Sequence, residues 1–471
     1  MRAKNLSLIL PIFLLLLCAC NAPVEQNDIY DATGEDSNDS GALPESTLSE
    51  IPQSTNLDSI PSAEISSTLI APEELTYLGA FRLPGESGGS NWEYSGYAMA
   101  YFPEGEPQGP DDGFPGSLFA VGHDHQQYIS EINIPAPVIS PEKNPEDLNS
   151  ASTLQPFSDV ASEMYGYLEI PRAGLEILPP QGNQENWLLY FAWGQHFEDE
   201  WAATHGWSDL DLSAPESEGP WHVGGYSNYI TNDYLFEIPE DWAEVYSPGL
   251  RLAAGRFRDG HWGGLGPTLI AMGPWLDGNP PVRDSTLEHV TPLLLYGQQR
   301  EGMLEIETTG IDPMLTFSAP DEWSGGAWLT AAERSAVIFV GTKAQGDSWY
   351  GFSNGVVYPI SGDPNEVYPE VPPWPHDSRG WWSQDISAQI LFYDPADLAA
   401  VALGEKDPWE PQPYASLEID KYLFDPGYDH ENAKRYLVGA LAFDRLTGLL
   451  YVVERRADGD KSLIHVFSLT R

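Results

Sequence analysis

The sequence predicts an all-β protein, a β-propeller of about five blades, and three observations carry that prediction. Short apolar runs recur as antiparallel meanders separated by turns rich in Gly and Asp. Long stretches with amphipathic helical periodicity are missing between them. Several meanders open on small residues: SGYAMAY from Ser95, SGGAWLT from Ser324 and VGALAFD from Val438. Innermost propeller strands converge on an axis where little side-chain volume fits, which gives Gly96, Gly325 and Gly439 a packing reason to be there. Six or seven blades stay within the usual range.

The first element is an address. MRAKNLSLILPIFLLLLCAC places Arg2 and Lys4 before an apolar stretch interrupted at Pro11 and too short to span a bilayer, the layout of a secretory signal over residues 1–19. Leu17-Cys18-Ala19-Cys20 resembles a bacterial lipobox, in which a small residue precedes a cysteine that is acylated and becomes the mature N-terminus. Cys20 fits that role, whereas Cys18 follows the large Leu17. Cleavage before Cys20 leaves a folded part without free thiols, which excludes a cysteine nucleophile, a disulfide framework and a thiolate metal site together.

Residues 20–71 read as a lipid-anchored, disordered acidic tether of Ser, Thr, Asn, Pro and acids. The chain has 71 acids and 22 bases; 12 of the acids and no Lys or Arg fall between Asn21 and Leu75, and Arg2 and Lys4 precede them. The remainder therefore holds 59 acids against 20 bases, a charge of −39. Such a field repels nucleic acid and anionic headgroups, so the expected membrane contact is the lipid anchor alone, on a monomer in the extracytoplasmic cell envelope.

Residues 72–471 form the expected propeller. EELTYLGAFRLPG, Glu73 to Gly85, is an isolated strand just after the tether. Meander runs follow at Tyr97–Phe102, Leu118–Val121 and Tyr128–Ile134, then Trp187–Trp193 and Tyr234–Ile238, then Trp328–Leu329, Ala336–Gly341 and Gln389–Tyr393. The stretch from Arg251 to Asp321 is the hardest to divide into strands. The C-terminus supplies only three strands, Leu437–Phe443, Leu449–Val453 and Leu463–Leu469, so the strand after the tether is expected to complete that blade and close the ring. LFEIPEDWAEV from Leu235 and LFYDPADLAAV from Leu391 echo each other as a strand running into a short helix between outer strands. In the second copy Asp394 is an N-cap, Pro395 the first helical residue, Asp397 complements the dipole and Gly404 ends the helix.

YLGAFRLPG at Tyr77, VGHDHQQYISEINIP at Val121, YLFEIPEDW at Tyr234, ILFYDPADLAAVALGEKDPWEPQPYASLEI at Ile390 and the closing GLLYVVERRADGDKSLIHVFSL together resemble a group of uncharacterised secreted bacterial β-propeller-like proteins with lipoprotein signals. The resemblance covers most of the chain beyond the tether. It implies fold and export and brings no activity and no catalytic residues.

Candidate chemistry lies in two places. His123 and His125, two apart at the end of a predicted strand, have a spacing at which both imidazoles face one way if the strand continues, which suits a divalent cation. His196, His222 and His261 sit in comparable loops. Trp193 to Tyr229 reads as a long insertion loaded with Trp, His and acids. There, with Trp262, the residues Trp193, Trp201, Trp207 and Trp221 form a candidate aromatic platform for a glycan or peptide, with His196, His222 and His261 beside it. Its acids Glu198, Asp199, Glu200, Asp209 and Asp211 offer paired carboxylates for glycoside cleavage or oxygen ligands for Ca²⁺. No Gly-x-Ser-x-Gly elbow, phosphate loop, His-Glu-x-x-His or EF-hand pattern occurs. The expected function is ligand binding by loops on one face of the ring. The alternatives are a carbohydrate-active hydrolase or lyase with an axial acidic or cation site, and a structural scaffold of the cell envelope.

Overall fold

Among the described residues, twenty-one strands pair into five sheets. The computed structural model describes residues 66–470 apart from 67, 107–112, 162–163, 167–170, 196–200, 257–261, 361–364 and 429–433. The signal, Cys20 and nearly all of the tether lie outside the described residues. Strand β1 (Leu75–Arg82) stands alone in sequence. Blade one comprises β2 (Met99–Phe102), β3 (Ser117–Val121), β4 (Ile129–Asn133) and β5 (Thr153–Ser158). Blade two comprises β6 (Pro171–Leu178), β7 (Leu188–Gln195), β8 (His205–Ser208) and β9 (Ser217–Val223).

Blade three contains β10 (Tyr234–Glu237), β11 (Leu252–Gly255) and β12 (Leu269–Met272). The chain then makes β13 (Thr286–Leu287), which adds in parallel to the outer edge of β9, before β14 (Val290–Leu294) completes the blade. Blade four is β15 (Glu322–Ala331), β16 (Arg334–Phe352), β17 (Arg379–Tyr393) and β18 (Ala415–Glu418); blade five is β19 (Val438–Asp444), β20 (Leu449–Asp458) and β21 (Lys461–Leu469) with β1 at its outer edge. The ring is a five-bladed β-propeller, closed by its first strand as expected.

Closure is secured by more than the ladder. Strand β1 pairs antiparallel with β21 from Leu75↔Leu469 to Arg82↔Leu463, with one register shift between Tyr77 and Gly79. Gly79 has φ +127°, and a Cβ there would lie 2.5 Å from the Val138 carbonyl carbon, so glycine lets the closing strand press on blade one. Arg82 grips Asp458 with two hydrogen bonds, of 2.9 and 3.0 Å. The Tyr77 hydroxyl lies 3.0 Å from His465 Nδ1. The other nitrogen, Nε2, lies 2.7 Å from Glu454, whose oxygens accept the amides of Phe424 and Asp425.

The hydrophobic core is divided among the seams between neighbouring blades. Tyr190, Trp207 and Trp221 of blade two pack on Leu235, Leu252 and Ile270 of blade three, and four further clusters fill the other seams. A buried indole removes about 150–250 Å² from water, roughly 4–6 kcal/mol of gross transfer energy, so tryptophan is an efficient filler of a wedge that widens outward.

At the axis the same wedge narrows to backbone. The Ala440 amide donates to Gly96 O at 2.9 Å. A Cβ at Gly439 would fall 2.0 Å from that oxygen, and one at Gly325 would fall 2.9 Å from Gly439 O. The glycines that open inner strands are thus the points where blades one, four and five touch.

Helices α1 (Glu240–Tyr246) and α2 (Pro395–Ala402) lie at the end of the ring where the inner strands finish. Asp394 caps α2 by accepting the Ala396 amide at 2.7 Å, and Gly404 follows the helix at φ +73°. Whereas α2 joins outer strands, α1 joins the innermost strand of blade three to the next, which corrects the expectation that both link outer strands. Trp242 of α1 donates to Pro395 O at 3.3 Å, tying the two blades. Among the described residues no helix is long and apolar enough to cross a membrane.

Side chains stitch this end together. Arg445, just beyond β19, donates to Glu237 of blade three and to Trp328 O and Thr330 of blade four. Glu176 of blade two accepts the Glu237 amide at 3.2 Å. Burial, and then the charge of Glu237, push the Glu176 carboxyl up to about 8 from 4.5, against the opposing pull of Arg445. The folded chain therefore keeps a proton there that the unfolded chain releases. The stability this contributes is complete below pH 4.5 and is lost as pH rises through about 8. Glu176→Gln is expected to flatten the fall in melting temperature between about pH 5 and pH 8, where the carboxyl of the unfolded chain has ionised and that of the folded chain has not. Melting curves across that range check it, and a parallel fall in the variant would count against it.

Candidate functional site

The inner strands all start at the opposite end of the ring, so the residues that begin them form a collar around the axis. Tyr97 precedes β2, Arg172 lies at the start of β6, Asp233 precedes β10, Glu322 begins β15 and Tyr436 precedes β19. Arg455 joins them from β20, its stem crossing Gly96 and Gly439: Cβ atoms at those positions would lie 3.1 and 3.2 Å from its Cγ and Cδ. The inner-strand glycines therefore admit both a neighbouring backbone and an arginine.

Within the collar, Glu322 is shared by two guanidinium groups, Arg172 at 3.4 Å and Arg455 at 3.8 Å. Arg455 Nη2 donates to the Tyr97 hydroxyl at 2.7 Å. Both guanidinium groups also lie against aromatic rings, Arg455 4.3 Å from the Tyr97 centroid and 5.5 Å from Tyr436, Arg172 5.3 and 5.8 Å from the same two. Burial opposes the Arg172 charge. Glu322, followed by Tyr97, Asp233 and Tyr436, outweighs it and raises that pKa well above the ordinary guanidinium value. Arg256, fully buried, braces Asp233 from behind at 3.4 Å and donates to Asn228 O and Asn232, each at 3.0 Å.

Two buried atoms of this network are left unsatisfied. Arg455 Nη1 and Glu322 Oε1 make no hydrogen bond among the described residues, and their 3.8 Å separation is too long for one. Such a gap is where a bridging oxygen fits.

Blade four carries a further feature above this end. Beyond the reach of β15 and β18, β16 and β17 continue as a two-stranded ribbon, pairing from Lys343↔Ser387 to Phe352↔Arg379. On it Tyr350 contacts Trp381 at 5.6 Å, and in the loop that joins its two strands Tyr358 contacts Tyr368 at 5.0 Å between ring centroids. Tyr368 is 50% and Trp374 64% exposed, so aromatic surface faces solvent here.

The tryptophans singled out in sequence lie elsewhere. Trp193, Trp207 and Trp221 are 1%, 4% and 0% exposed, which corrects the expectation that they form a stacking platform. The supposed insertion contains β8 and β9, and Trp207 and Trp221 point from these strands into the seam with blade three. Trp193 donates to Gln127 of blade one. Trp201 is half-buried, and Trp262 is half-buried with its ring edge against Tyr229 at 5.2 Å. Asp209 and Asp211 shape the β8–β9 turn by accepting the amides of Glu216 and Ser213, while Glu198, Asp199 and Glu200 lie outside the described residues.

Among the histidines, His196 and His261 fall outside the described residues. His222 is half-buried on β9, where burial lowers its pKa against the pull of Asp284. Strand β3 stops at Val121, so His123 and His125 lie on a turn rather than on one strand face. Their rings come within 5.6 Å and both approach Asp124 Oδ1, at 3.2 and 4.0 Å. Among the described residues no group of three or more His, Cys, Asp or Glu is arranged to hold a metal ion.

Fold and collar together define a five-bladed β-propeller with an arginine–tyrosine mouth at one end of its axis. No known family model matches the chain, and no curated protein is detectably similar to it.

Proposed function

We propose that the protein is a surface-tethered, extracytoplasmic β-propeller, held through Cys20, that binds a carboxylate-bearing glycan at the arginine–tyrosine mouth. The carrying observation is the shared carboxylate: Arg172 and Arg455 converge on Glu322, and Arg455 Nη1 makes no hydrogen bond among the described residues. The donor is buried, and a ligand carboxylate that reached it beside Glu322 would satisfy it. The exposed aromatic surface of the loop at the ribbon's tip supports a sugar as the bearer of the charge, since flat ring faces suit pyranose rings.

A hydrolase reading asks for two facing carboxylates with room for water or a bond between them. Glu322 and Asp233 instead each face a guanidinium group. That geometry favours holding over cleaving.

Calorimetric titration with D-galacturonate tests the proposal. Arg455→Ala is expected to weaken binding at least tenfold, about 1.4 kcal/mol, and Arg455→Lys to leave most of the loss in place because an ammonium cannot present a planar fork. Arg172 still faces Glu322 in both variants, so folding is expected to persist. Unchanged galacturonate affinity in Arg455→Ala would overturn the assignment, and a preference for a glutamate-rich peptide would move the ligand class.

A further inference from the structure

A groove of about 690 Å³ lies on the same end of the ring, away from the collar, between the loop that leads from β1 to β2 and the β3–β4 turn. Its walls are Glu86 to Asn91 on one side and His123 and Gln126 on the other. The volume is in the range of small-molecule sites. The groove is also braced. Gln126 donates to Gly89 O at 3.3 Å and the His123 amide to Asn91 O at 2.9 Å, while Tyr94 packs its ring edge-on against His123 at 5.6 Å. Gly88 anchors the loop on blade one, because a Cβ there would meet Phe157 O at 2.2 Å. Gly89 faces open space.

One group in the wall is left unsatisfied. Ser90 is 5% exposed, and its Oγ has no hydrogen-bond partner among the described residues. A buried hydroxyl without a partner is destabilising, and a hydrogen bond from a ligand in the groove offsets that.

The character of the wall selects the ligand. Ser87, Ser90, Asn91, Gln126 and His123 can each donate and accept, which matches hydroxyl groups that do both. Among the described residues no Lys or Arg lines the groove to attract an anion, and the one carboxylate they bring to it, Glu86, falls short of an oxygen cage for a cation.

We propose that this groove is a second binding site, for an uncharged saccharide. It stands on its own observations and does not depend on the axial mouth. His123 serves it as a wall residue whose ring hydrogen-bonds a sugar hydroxyl, in place of the metal-ligating role its spacing with His125 suggests.

The test is calorimetric titration of the full chain with cellotriose, mannotriose and xylotriose, together with the His123 ring resonances followed by NMR. At least one trisaccharide is expected to bind and shift His123. Gln126→Trp, which fills the groove, is expected to weaken that binding at least tenfold. Ser90→Ala is expected to weaken it several-fold with no loss of folding, whereas Arg455→Ala leaves it unchanged. Absence of binding by all three, or binding that survives both groove variants, overturns the proposal. Loss of trisaccharide binding in Arg455→Ala overturns it too, by assigning the sugar to the axial mouth. Galacturonate affinity measured in the same variants reports on the mouth separately.

Discussion

Gly439→Val is expected to abolish cooperative folding, and Gly439→Ala to cost about 3 kcal/mol, the upper end of ordinary overpacking. The contact at fault is with backbone: a Cβ would sit 2.0 Å from Gly96 O, which is already fixed by the Ala440 amide. No rotamer change relieves that clash. The inner strands of blades one and five would have to separate, and the path of the Arg455 stem would be lost with them. Urea unfolding followed by tryptophan fluorescence measures the effect. Gly85→Ala is the control, because a Cβ there meets nothing within 4 Å, and it is expected to stay within about 0.5 kcal/mol of the parent. Equal midpoints for Gly439→Ala and Gly85→Ala would contradict the close approach.

Removal of residues 1–82 is the second large effect. It strips blade five of β1, uncovers the edge of β21 and deletes Leu75, Ala80 and Phe81, which are buried in three separate clusters. Each large apolar side chain contributes roughly 1.5–3 kcal/mol, and with the ladder and the Arg82–Asp458 pair the sum approaches the 5–15 kcal/mol that typically separates folded from unfolded domains. The truncated chain is expected to lose its sharp thermal transition and to associate through the exposed edge. A synthetic peptide spanning Glu73 to Gly85, supplied in trans, is expected to restore part of the transition. Calorimetry and size-exclusion chromatography check both outcomes, and a truncated monomer that melts with the parent would refute the role assigned to β1.

The fold was legible because local rules carry it. Alternating apolar runs between turn residues give the meanders, and the lone strand ahead of β2 matches the missing fourth strand of the last blade. The Gly-rich openings of β15 and β19 and the loop leading into β2 mark the axis. Asp394, Pro395 and Gly404 gave the limits of α2 for the same reason, since capping chemistry is contained within a few residues. Tryptophan was misleading because composition does not reveal which way a strand residue points. Trp207 and Trp221 stand on β8 and β9 with their indoles in a seam, while the exposed aromatics Tyr368 and Trp374 belong to the loop that joins the unusually long β16 and β17. The collar was hidden for a different reason. The hydrogen bond between Tyr97 and Arg455 spans 358 residues, and the residues around it come from five blades, so no short motif contains them. The trace they leave is positional, a polar or aromatic residue close to the start of each inner strand, visible only once the inner strands are known.

The Arg445 stitch has a mechanical consequence. It binds blades three, four and five at the end of the ring opposite the collar, with Glu176 extending the contact to blade two. Four of the five blades are thereby coupled through side chains at this end, so a load placed on one blade is passed to its neighbours instead of splaying it from the ring.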